Sequence, residues 1–208
     1  MLGPHPRSPR CVDVPRALRR AGPAGGHLFG QDWGGMIGLR LLAEEPGRFV
    51  RAVLAKTGLP TGAAKPSKHF LAWQEFAATV PVFDAGAVVE RGTTRPVDNE
   101  VQAAYNAPFP DGSYQAGARA MPSLVPTRPG DPAAEDQRSA WRAFKDFQRP
   151  VLTAFSDADP ITRGGDERFL ATFPAARRTN VAGAGHCLQE DAPSQVADLI
   201  ASFIEETS

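Results

Sequence analysis

Excess charge of either sign is missing from this chain, in which 23 Lys and Arg residues stand against 23 Asp and Glu residues. A formal net charge of zero gives no whole-molecule field to recruit nucleic acid or an anionic membrane, and it suits a small neutral ligand better. Cysteine is scarce. Cys11 and Cys187 have neither metal-ligand spacing nor the number needed for a disulfide framework, which points to a reducing compartment and makes the cytoplasm the expected location. No apolar run nears the roughly 18 residues of a membrane span, and the first turns of the chain lack the apolar h-region of a secretory signal. Arg7, Arg10, Arg16, Arg19 and Arg20 against the acid Asp13 look superficially like an organelle transit peptide. Pro4, Pro6, Pro9 and Pro15 would break the amphipathic helix that such a peptide needs.

What is present is an ordinary globular composition, 42% hydrophobic and 22% charged over 208 residues, enough to bury a core. Three short apolar runs bounded by turn residues read as strands: His27-Leu28-Phe29, Ala52 to Ala55, and Val151 to Phe155. The second and third are apolar on both faces rather than alternating, the mark of a buried parallel strand. Helical spacing follows the first strand, from Met36 to Leu42 before a stop at Pro46, and returns near the end in Val196, Leu199, Ile200 and Phe203. Strand then helix, repeated, argues for an α/β protein with a mostly parallel sheet. Residues 63–148 differ in character: they hold Trp73, Trp141, Tyr105, Tyr114 and many prolines, with helical patches at Phe70 to Thr79 and Asn99 to Tyr105. The chain therefore divides into core residues 1–62, a mainly helical inserted cap at 63–148, and core residues 149–208.

Gly30-Gln31-Asp32-Trp33-Gly34 has the spacing glycine, x, nucleophile, x, glycine of a sharp strand-to-helix turn, with glycines where a side chain would clash. An Asp that merely caps a helix at a surface turn would give the same pentapeptide. Gly183-Ala184-Gly185-His186 follows a candidate strand, Thr179-Asn180-Val181, and by itself describes a loop histidine. Between them, after the strand Val151 to Phe155, comes Asp157-Ala158-Asp159-Pro160-Ile161, in the kind of loop that carries sites in open α/β sheets. The order nucleophile, acid, histidine is that of α/β-hydrolases. Asp159 is the candidate acid, with Asp157 as its rival.

Gln31-Asp32-Trp33-Gly34-Gly35 resembles the nucleophile motif of haloalkane dehalogenases. Ala104-Tyr105-Asn106-Ala107-Pro108-Phe109-Pro110-Asp111 with Ser113-Tyr114-Gln115-Ala116-Gly117 resembles their cap, and Ala184-Gly185-His186 with Gln189-Glu190 their histidine motif. The resemblance runs from about His27 to the carboxyl end. It implies an α/β-hydrolase fold in which Asp32 displaces halide from carbon, His186 activates water against the resulting ester, and Asp159 orients the imidazole. It implies Trp33 as a donor to the halide, a small halogenated alkane and water as reactants, and no metal or organic cofactor. Epoxide hydrolases share the Asp nucleophile and would use cap tyrosines, for which Tyr105 and Tyr114 are available.

Two departures qualify the resemblance. A second, cap-borne halide tryptophan is missing, and Thr93 stands near its position. Residues 1–26 do not resemble the strands that a member carries ahead of the turn, so the expectation is a truncated core, active or inactive, with an exposed sheet edge open to self-association.

Overall fold

A computed structural model describes residues 25–208. Four strands, β1 (Gly26–Gln31), β2 (Phe49–Ala55), β3 (Val151–Phe155) and β4 (Ala176–Asn180), lie in that order, and every neighbouring pair is parallel. Parallel neighbours require crossovers. Helix α1 (Asp32–Glu44) supplies the first. The second contains α2 (Lys68–Thr79), α3 (Ala85–Arg91), α4 (Asn99–Asn106), α5 (Ala116–Ala120) and α6 (Ala134–Ala143). Helix α7 (Glu167–Thr172) belongs to the third, and α8 (Leu188–Asp191) and α9 (Pro193–Glu206) follow β4.

The two central strands show why the sequence folds this way. Side chains alternate between faces along a strand, and in β2 Ala52 and Leu54 join one apolar cluster while Val53 and Ala55 join the other. In β3, Val151 and Phe155 divide in the same manner from Leu152 and Ala154. The first face is covered by Leu39 and Leu42 of α1, Trp141 of α6 and Phe169 of α7, the second by Val196 and Phe203 of α9. Each fully buried Leu or Phe side chain contributes about 1.5–3 kcal/mol relative to exposure.

Glycines bring α1 onto β1, since a Cβ at Gly38 would lie 2.8 Å from the Leu28 side chain. The helix stops where Glu45 donates its N–H to Leu41 at 2.8 Å and Pro46 follows, as expected of a residue that cannot continue a helix. Trp141 lies in the main core, stacked on Phe169 and donating its indole N–H to the carbonyl of Leu59 at 2.8 Å.

Strand β4 starts three residues and ends one residue before the expected Thr179-Asn180-Val181, because its Ala-Arg-Arg-Thr-Asn side chains are largely solvent-facing and give little apolar signal. No helix among the described residues is long and apolar enough to cross a membrane. Among those residues β1 pairs with β2 alone. Cys11, the basic segment and the expectation of missing strands fall in residues 1–24, outside the described residues.

Candidate active site

Strand β1 passes into α1 with no linking residue, and Asp32, the first helical residue, takes φ of +47°. A non-glycine residue held there costs on the order of 1–3 kcal/mol, which its surroundings must supply. Thr57 does part of this, donating its hydroxyl to the Asp32 carbonyl at 2.7 Å. Two glycines allow the rest. A Cβ at Gly30 would lie 2.7 Å from the Cα of Gly35, and one at Gly35 would lie 2.3 Å from the Thr57 hydroxyl oxygen. Gly34 does not follow the sequence reasoning, because a Cβ there meets nothing within 4 Å. The second glycine required by sterics is Gly35. With its backbone fixed, Asp32 presents a carboxyl that remains 52% exposed.

The candidate acid and the candidate histidine arrive from loops after β3 and β4, at the same carboxyl ends where sites form in open parallel sheets. His186 stands between the two acids. Its Nδ1 lies 2.9 Å from Oδ2 of Asp159 and its Nε2 3.5 Å from Oδ1 of Asp32. Asp159 is fully buried and also accepts from the Ile161 N–H at 2.8 Å and the Thr162 hydroxyl at 2.5 Å. Asp157 is directed elsewhere: its side chain accepts from the N–H of Gly183 at 3.0 Å and its carbonyl from Arg163 at 2.6 Å.

Opposing forces set the charge of this pair. Burial works against the imidazolium, but hydrogen bonds to Asp159 and Asp32 and their negative charges outweigh it, and His186 is pushed up to about 9. Burial likewise opposes ionisation of Asp159, yet the bonds from His186, Thr162 and Ile161 hold its carboxyl well below the usual carboxylate range. The arrangement can therefore hold a proton on the imidazole beside one buried and one accessible carboxylate.

Comparison with known proteins places the chain in a family. The sequence profile of the Alpha/beta hydrolase family matches residues 3–199. The chain belongs to that family. It is 46% identical over 182 residues to a haloalkane dehalogenase of Psychrobacter cryohalolentis, covering 86% of this chain and 60% of the relative. A haloalkane dehalogenase of Mycolicibacterium paratuberculosis is 45% identical over 178 residues, with 85% of this chain and 59% of the relative covered. The chain thus spans about 60% of the length of the curated relatives it matches. Among solved structures, a haloalkane dehalogenase of Paraglaciecola agarilytica NO2 shares the fold with a TM-score of 0.82 at 21% identity, covering 91% of this chain and 64% of that one.

Within this alpha/beta hydrolase the other sequence candidates have distinct surroundings. Trp33, half-buried beside Asp32, makes no hydrogen bond with its indole N–H among the described residues. The hydroxyl of Thr93 is occupied locally, 2.7 Å from the carbonyls of both Glu90 and Arg95. Tyr105 donates to Glu190 at 2.5 Å, and Tyr114 is 61% exposed. Among the described residues no cluster of His, Cys, Asp and Glu could hold a metal ion.

Several supporting contacts, some made by residues already named for the resemblance, escaped the sequence reasoning. Gln31 donates its amide to the His186 carbonyl at 2.9 Å and accepts from Gln189 at 3.3 Å, joining the turn to the histidine loop. Buried Asp191 accepts from the N–H of Gly185 at 2.7 Å and from the N–H and hydroxyl of Thr94 at 3.0 and 3.1 Å, and its carbonyl accepts from Arg95. That carboxylate staples the histidine loop to the helical stretch. Lys56 and Thr57, directly after β2, are the other omissions, and their place at a strand's carboxyl end was the available signal.

Proposed function

We propose that this chain carries the catalytic machinery of a haloalkane dehalogenase, with Asp32 as nucleophile on a strained strand-to-helix elbow. A carboxylate oxygen of Asp32 attacks the halogen-bearing carbon, the carbon–halogen bond breaks, and halide leaves with the electron pair. The unpaired indole N–H of Trp33 donates to the departing halide, where a hydrogen bond strengthens as charge develops. Residues 63–148 form a cap over the site, and a small halogenated alkane is the substrate class.

The second half-reaction hydrolyses the alkyl ester on Asp32. Alkylation removes the negative charge beside Nε2, and that charge was one cause of the raised proton affinity of His186. The imidazole then gives up its proton more readily and can take one from water. The hydroxide formed adds to Cγ of Asp32, the alcohol leaves, and the carboxylate is regenerated. Asp159 holds the ring by Nδ1 and stabilises the imidazolium. General-base help of this kind is worth roughly 100- to 10,000-fold.

The observation that carries the reading is the bridge of one imidazole between an exposed carboxylate on a strained turn and a buried, fully bonded one. It is supported by the identities to proteins named haloalkane dehalogenase. The epoxide hydrolase reading gains no support from the tyrosines, since one hydroxyl is given to Glu190 and the other side chain faces solvent. The test is His186→Phe incubated with 1,2-dibromoethane. Intact mass should rise by the bromoethyl group, localised to Asp32, with one bromide released per chain. An unmodified chain would sink the proposal.

A further inference from the structure

Among the described residues, two non-glycine residues have positive φ: Asp32 at 47° and Lys56 at 45°. They are structural neighbours. Gln31 pairs with Ala55 at the ends of β1 and β2, so each strained residue is the first beyond its strand. Lys56 is also 0% exposed. Burying an ammonium costs several kcal/mol unless it is paired and hydrogen-bonded, and the strained backbone adds to that cost. A lysine in such a place is held by specific partners.

Those partners lie in the catalytic arrangement. Lys56 Nζ donates to the carbonyl of Ser156 at 3.1 Å and stands 3.4 Å from Oδ2 of Asp159. This is the same oxygen that receives His186 Nδ1. Ser156 in turn places its hydroxyl 2.5 and 3.1 Å from the carbonyls of Ala184 and Gly185, immediately before His186. The charged groups facing Lys56 are Asp159, Asp157 and Arg163, and those facing His186 are Asp159 and Asp32. Glu190 and Asp191 face the neighbouring Cys187.

We propose that Lys56 is a positioning residue for the hydrolytic half-reaction: its ammonium shares Oδ2 of Asp159 with the imidazole and limits how much of that carboxylate's charge His186 feels. The inference rests on the triad reading above. Two cations on one carboxylate oxygen repel each other while both are attracted to it. When Asp32 is esterified, this repulsion favours the neutral imidazole, the form that accepts a proton from water. Without the ammonium, Asp159 alone would hold the proton on His186, and base catalysis would begin only at higher pH. Burial lowers the lysine's own proton affinity and Asp159 raises it, so the ammonium depends on the same carboxylate that it modulates.

The test compares the full chain with Lys56→Met and Lys56→Gln, which differ in polarity but both remove the charge. The His186 ring is titrated by NMR, assigned with His186→Phe, and ester hydrolysis is followed in single turnovers with 1,2-dibromoethane across pH. Both variants should move the His186 titration and the acid limb of ester hydrolysis upward by about one pH unit, the size expected of a charge held at this range. The alkylation step should change little. An unmoved titration in folded variants would overturn the role, as would a shift in one variant and not the other. Should neither variant fold by circular dichroism, the Lys56 ammonium is titrated by nitrogen-15 NMR in the unaltered chain. A neutral lysine throughout the working pH range overturns the proposal, and a charged one whose titration moves with that of His186 supports it. Failure of the unaltered chain to form ester or release halide would instead count against the dehalogenase reading, with the titrations still deciding the part played by Lys56.

Discussion

Asp32→Asn removes the same charge that alkylation removes, without requiring a substrate. The amide retains an oxygen that can accept from Nε2, so the geometry survives while the electrostatics change. The charge is 3.5 Å from Nε2. Two unit charges at that separation interact by roughly 1 kcal/mol in bulk water and roughly 5 kcal/mol at an effective dielectric constant near 20. The Asp32 carboxyl is 52% exposed, which places the interaction toward the watery limit. A loss of about 1–2 kcal/mol is then expected, equivalent to about one pH unit. His186, pushed up to about 9 in the unaltered chain, should titrate lower by that amount. Carbon-13 NMR of the ring Cε1 against pH measures it directly. If Asp32→Asn leaves the titration where it was, or moves it upward, the argument that alkylation turns the imidazole into a base fails.

The same ionisation is linked to folding. His186 has a raised folded value of about 9 against the ordinary 6.5, so its stabilisation is complete below 6.5 and is lost as pH rises through about 9. At most about 3 kcal/mol is involved. Urea melts across that range should show declining stability, flattened in His186→Phe; an equal decline in both proteins would assign the effect to another group. Thr57→Val removes the hydroxyl bonded to the Asp32 carbonyl with little change of shape, and should cost about 1–3 kcal/mol in urea unfolding. An unchanged midpoint would mean that the turn holds without that bond. Trp33→Phe keeps an aromatic ring but deletes the donor, and turnover should fall about 10- to 100-fold while bromide quenching of tryptophan fluorescence disappears. Retained quenching would place the halide elsewhere.

The legible parts of the fold are those whose burial is extreme. Strand β3 and the Ala52–Ala55 part of β2 announce themselves because both faces are covered and their sequences are apolar on both sides, whereas Phe49 to Arg51, which extend β2, include a charge. Strand β4, outermost among the described residues, was legible only at its end, since its arginines pair outward, Arg177 with Glu206 and Arg178 with Asp166 and Glu167. Trp141 shows the converse limit. The sequence puts it in the cap range 63–148, whereas tertiary contacts carry it into the main core against Phe169 and Leu59.

Residue type, chain order and the resemblance of the surrounding motifs together nominated Asp32, Asp159 and His186. The sequence offers no such handle for Lys56. A lysine after an apolar run reads as a strand leaving the core for solvent, and lysine is almost never fully buried unless paired. Its partner, Asp159, is 103 residues away and invisible until β2 and β3 lie side by side. The topology nevertheless makes the result intelligible. In a parallel sheet covered on both faces, the first residue after each strand is where a polar group can leave the apolar layer yet remain sheltered and aimed at one crevice. In this chain those positions are Asp32 after β1, Lys56 after β2 and Ser156 after β3, and each contacts the His186 ring, its carboxylate partner or its loop. After β4 the corresponding residue is buried Val181, so that strand contributes only through the longer loop that carries His186 back to the same crevice. Charge placement at the proposed site thus follows from strand ends, and this is why a lysine conspicuous by neither motif nor spacing can share an oxygen with the residue that orients the base.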